Sequence, residues 1–155
     1  MPTPSPKRPQ PPPQPPAFWT RLAALFYDTL LALSIVVVAT LIYLMLGAYF
    51  TGAEDVNTGD SLLRVYLAAI LYVFFVGFWM HDGATLGMRA WGLYIVDAQG
   101  QHPDLGLASK RFLFAILSWL LLGGGFLWAL FDRDKRTLHD RLAGTWVLKR
   151  SPTRS

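Results

Sequence analysis

Residues 29–50 contain no charged side chain. At about 1.5 Å per residue this run makes a helix of roughly 33 Å, enough to cross the hydrocarbon core of a bilayer. A second uncharged run, residues 65–80, is shorter, but Leu62 and Leu63 extend it and Arg64 can snorkel toward the headgroups. A third, residues 112–131, is long enough to cross once and too short to cross twice, and it carries Gly123, Gly124 and Gly125, each weakening a helix by about 1 kcal/mol relative to alanine. Charged residues make up 15% of the chain, against roughly 25% in ordinary soluble domains. The expected architecture is an all-α membrane protein: a small bundle of two transmembrane helices plus a third crossing or re-entrant segment.

Nine of the eleven prolines fall in the first sixteen residues, beside Lys7 and Arg8. Such a segment cannot bury enough surface to offset the entropy of ordering. Residues 1–17 are therefore expected to be a disordered tail, residues 18–150 the membrane domain and residues 151–155 a disordered end. A secretory signal needs an apolar run soon after its basic start, and here that run comes too late.

Charge sets an expected sidedness. The first connection holds Glu54, Asp55 and Asp60 without lysine or arginine, while the tail and the segment from His81 to Arg111 are basic. The positive-inside rule puts that loop outside and the N-terminus in the cytoplasm of a multi-pass protein of a cell membrane, the bacterial inner membrane in particular. A single third crossing would export Arg133, Lys135, Arg136, Arg141, Lys149, Arg150 and Arg154. A segment that enters at Arg111, turns near the three glycines and returns keeps them inside; three plain crossings are the alternative. Gly92, Leu93, Tyr94, Ile95 and Val96 read as a strand before a turn, and Gly144, Thr145, Trp146, Val147 and Leu148 read the same way. Two lone strands leave backbone groups unpaired, so the expectation is a short cytoplasmic two-stranded ribbon, with two unconnected loops as the alternative.

Arg21, Ala24, Asp28 and Ala32 share one helix face, where small residues beside a carboxylate mark a contact surface. Asp28 has two readings. Either it lies at headgroup depth and orients the helix, or it is desolvated and serves as a carboxylate for which protons and cations compete. Arg21 is about 10 Å away along the axis, so the compensating group is expected elsewhere, with Arg89, Arg111 and the Tyr72 hydroxyl as candidates. Residues 132–141 hold mixed charges directly after an apolar segment. They read either as a solvated stop or, with His139 and Asp140 before Leu142, Ala143 and Gly144, as a helix closing on glycine that fixes Asp140.

Enzyme constellations fail. The chain has no cysteine, its three histidines lack paired metal-ligand spacing, and neither a nucleophile elbow nor a phosphate-binding glycine loop occurs. The expectation is no enzyme, no cofactor and no metal. A pI near 9.6 suits nucleic acid, but the basic residues flank the spans, which membrane orientation explains without a nucleic-acid partner.

Arg21 and Asp28, then Thr85, Leu86 and Gly87, the 92–97 strand with Gly100, Arg111, and the closing run Thr137-Leu138-His139-Asp140-Arg141-Leu142-Ala143-Gly144-Thr145-Trp146-Val147 together resemble the RDD family of small membrane proteins. The family name refers to one arginine and two aspartates; by position these are Arg21, Asp28 and Asp140, with Asp132 the fallback for the last. Met88 stands where such proteins often carry lysine, with Arg89 following. The resemblance implies a membrane protein whose relatives include exchangers of sodium or other monovalent cations for protons. Two functions stay open: a homo-oligomeric transporter in which Asp28 takes up the proton or cation, with Arg21 and Arg111 tuning it and the Asp140 segment gating, or a non-catalytic module that binds or stabilises a partner membrane complex.

Overall fold

A computed structural model describes residues 15–51, 61–120, 124–132 and 136–150. Most of the proline-rich tail, the acidic loop with Glu54, Asp55 and Asp60, Gly123, Arg133, Asp134, Lys135 and the end with Arg154 lie outside the described residues.

The first uncharged run lies inside α1, Phe18–Thr51, whose 34 residues extend about 51 Å. Three of its hydroxyls bond within the helix: those of Thr29, Ser34 and Thr40 donate to carbonyls one turn back, those of Leu25, Leu30 and Val36, at 2.8, 2.9 and 2.8 Å. Such back-bonding suits a helix with no water beside it. The second run forms α2, Ser61–Asp82. Both helices are long and apolar enough to cross a membrane.

Gly83, at φ +63°, ends α2 in the left-handed region that favours glycine. The Thr85 hydroxyl then caps the short α3, Leu86–Ala90, by accepting from the Met88 amide. The predicted ribbon is present. β1, Leu93–Val96, and β2, Trp146–Lys149, pair antiparallel in the register Leu93 to Lys149 and Ile95 to Val147. Leu93, Ile95 and Val147 face inward and pack with Trp79, Ala84 and Ala108 into the main core.

Between the strands run α4, Leu105–Leu120, α5, Gly124–Phe131, and α6, Leu138–Ala143. α4 and α5 lie on either side of residues 121–123, which are outside the described residues, and the chain turns back. Gly125 lies against Ser118 near the end of α4, and farther on Asp140 and Thr145 bond to Arg111, more than a turn earlier on α4. The returning path and the ribbon bring both ends of this segment to the same end of the molecule. α6 starts in a capping box, in which the Thr137 hydroxyl accepts from the Asp140 amide and the Asp140 carboxylate from the Thr137 amide, and it closes on Gly144 at φ +71°. Residues 137–145 are therefore an ordered turn of helix rather than a solvated stop.

Candidate functional site

The capping box fixes Asp140, and burial makes that fixation costly to satisfy. Asp140 is fully buried, and a carboxylate there persists only with charged or hydrogen-bonding partners. It has two guanidinium partners. Arg21, from α1, donates from Nη1 to Asp140 Oδ2 at 2.8 Å, and Arg111, from α4, donates to Oδ1. Arg111 also donates to the Thr145 hydroxyl at 2.9 Å and lies over the Trp79 ring, 5.1 Å from its centroid. Arg136 bonds the Asp140 carbonyl at 3.0 Å. Three helices distant in sequence are tied at one carboxylate.

Burial by itself would raise the Asp140 carboxyl, but the guanidinium of Arg111, with His139, Arg21 and the Thr137 hydrogen bond, holds it well below the usual carboxylate range. Burial pushes the neighbouring His139 imidazole down to about 4; the Asp140 carboxylate opposes this, and Arg111 and Arg21 add to it. At neutral pH the cluster is thus two guanidiniums, one carboxylate and a neutral imidazole.

Asp28 occupies a second position on α1 with different partners. Its carboxylate accepts from the Thr85 hydroxyl at 2.5 Å and from the Gly87 amide at 2.9 Å. This corrects the expected compensation. Arg111 is engaged with Asp140, Arg89 pairs with Asp82 at 2.8 Å, and the Tyr72 hydroxyl meets that of Ser109 at 2.7 Å. Arg21 likewise serves Asp140 rather than Asp28. The small-residue face is used inside the chain: a Cβ at Gly87 would lie 2.5 Å from the Ala24 carbonyl oxygen and 2.7 Å from Asp28 Oδ1, so only glycine lets α3 approach α1 this closely. Asp132, the alternative second aspartate, lies apart, pairing with Arg141 and accepting from the Arg136 amide at 3.0 Å.

Asp28 and the Asp140 partners Arg21 and Arg111 line one cavity of about 670 Å³. Arg21, Asp28, Thr85, Arg111, Thr137 and His139 supply its polar lining, and α1, α2 and α4 supply apolar walls that include Ala32, Ala68, Leu71, Ala115, Ile116 and Leu120. Of the residues singled out in the sequence, Arg21, Asp28, Arg111 and His139 share this cavity, Asp140 anchors its charged end, and Asp132, Arg89 and Tyr72 are outside its lining. Thr85, Gly87, Thr137 and Thr145 hold the two carboxylates or their partners and were not recognised as site residues. Thr137 carried a usable signal, since threonine three residues before aspartate is a capping-box spacing.

Among curated proteins, the chain is 36% identical over 90 residues to an uncharacterized protein of Rickettsia prowazekii, a match covering 56% of this chain and 50% of that protein. The uncharacterized protein YckC of Bacillus subtilis is 33% identical over 145 residues, covering 90% of this chain and 87% of YckC. A third, YxaI of the same organism, is 28% identical over 152 residues, covering 87% of this chain and 97% of its own length. No solved structure gives a significant match. The family model described as RDD family matches residues 15–144, spanning Arg21, Asp28, Arg111 and Asp140, and the chain belongs to the RDD family.

Proposed function

We propose that the protein is a membrane transporter that exchanges a monovalent cation for a proton at Asp28. One observation carries this reading: of the two buried aspartates at the cavity, Asp140 is neutralised by two arginines, whereas Asp28 is held by two neutral donors, the Thr85 hydroxyl and the Gly87 amide. A carboxylate away from water needs a counter-charge, and at Asp28 a proton or a cation supplies it. Only one of the two can occupy it at a time, which is the requirement for exchange. The Arg21–Asp140–Arg111 cluster then serves as a fixed brace that holds α1, α4 and α6 around the cavity. With so few spans, the working unit is a homo-oligomer in a cell membrane, the ribbon and both termini on the cytoplasmic side.

The alternative, a module that binds a partner through the small-residue face of α1, has less support, because Ala24 on that face is already buried against α3. Purified protein in liposomes loaded with a pH-sensitive dye tests the proposal. Imposed sodium or potassium gradients change the internal pH with the wild type and not with Asp28→Asn. Absence of any change with the wild type, in both gradient directions, refutes exchange.

A further inference from the structure

Exchange of a cation for a proton leaves most of the cavity unexplained. A space of about 670 Å³ lies within the range of roughly 300–1,000 Å³ typical of sites for small organic molecules, and its walls are apolar along α1, α2 and α4. A hydrated cation is poorly matched to such walls. An occupant with an apolar body fits them.

The charged end specifies the rest of that occupant. The guanidinium side chains of Arg21 and Arg111 line that end of the cavity. Arg111 is only 5% exposed, and its guanidinium lies over the Trp79 ring. Guanidiniums so far withdrawn from water call for a group rich in acceptor oxygens. The local charge agrees, since the two guanidiniums share the single carboxylate of Asp140. Arginine donors in this arrangement suit a phosphate or carboxylate.

Depth decides between a soluble anion and a lipid. Arg111 stands at the start of the uncharged run 112–131, and Arg21 meets it on the same carboxylate, so the donor end lies at headgroup level while the apolar walls rise into the hydrocarbon. That is the orientation of a phospholipid in the adjoining leaflet. We infer that the cavity binds an anionic phospholipid, its phosphate on the Arg21 and Arg111 guanidiniums and an acyl chain along Ala32, Ala68 and Ala115. This site goes beyond exchange at Asp28 and does not depend on it, because binding is read without any flux.

The test measures thermal stabilisation of the detergent-purified protein by short-chain phosphatidylglycerol, by phosphatidylcholine of the same chains and by glycerol phosphate, the head without chains. Phosphatidylglycerol is expected to stabilise with an apparent affinity at least tenfold above phosphatidylcholine, and glycerol phosphate to have no effect at matched concentration. Ala115→Leu, which fills the apolar wall and leaves the donors in place, is expected to weaken phosphatidylglycerol binding at least tenfold. Equal stabilisation by the two lipids, full stabilisation by glycerol phosphate alone, or unchanged binding in Ala115→Leu overturns the inference.

Discussion

Arg21, on the first turn of α1, donates to Asp140 at 2.8 Å across 119 residues of sequence. With Arg111 on the other carboxylate oxygen, this contact closes the start of the chain onto its end and makes the molecule one unit.

Removing the shared carboxylate should therefore be severe. Asp140→Asn leaves two buried guanidiniums without their anion, and breaking a buried ion pair in this way costs about 3–5 kcal/mol. Arg89→Ala is the control: its pair with Asp82 is half exposed at the arginine and should change stability by less than about 1 kcal/mol. Unfolding in detergent, compared between the two variants, checks the difference.

His139 predicts a pH dependence. Its folded value, about 4, lies below the unfolded 6.5, so between these values the unfolded chain binds the extra proton. The stability of the neutral buried imidazole is complete above about pH 6.5 and falls as pH drops toward 4, by roughly 3 kcal/mol in all. Asp140, held low, adds its own loss only under still more acidic conditions. His139→Gln should flatten the profile between pH 6.5 and 4, measured by unfolding at stepped pH.

Gly87→Ala should separate α3 from α1. The added Cβ meets the Ala24 carbonyl oxygen at 2.5 Å, a backbone atom that cannot rotate away. Gly92→Ala, where a Cβ meets nothing within 4 Å, suffers only the strain of φ +67°, about 1–2 kcal/mol. A larger loss of stability for Gly87→Ala, with altered exchange flux, is the expected outcome.

The paired strands predict sidedness. Reporters placed at Gln99 and after Ser155 should be accessible from the same face of the membrane, and one placed between residues 52 and 60 from the other. A C-terminal reporter on the loop's side would contradict the hairpin of α4 and α5.

The two long apolar helices and the ribbon were legible because their signals are local: an uncharged run of fixed length, and β-branched residues ended by turns. The partners of Asp28 were not. Thr85 and Gly87 lie 57 and 59 residues away, and the polar candidates the sequence offers, Arg89, Arg111 and Tyr72, bond elsewhere, whereas the fold supplies two other, neutral donors. Nor does any local spacing join Arg21, Arg111 and Asp140; the family resemblance grouped an arginine and the aspartates, and only the packing of α1, α4 and α6 shows that the arginines serve Asp140.

Competition between a proton and a cation at Asp28 can be measured without a membrane. Sodium or potassium chloride, with choline chloride as control, is added to purified protein in weakly buffered detergent solution at several pH values, and released protons are counted. The account predicts release of up to one proton per protomer by sodium or potassium from the wild type and none from Asp28→Asn. No release from the wild type at any pH, or equal release from both proteins, would contradict it.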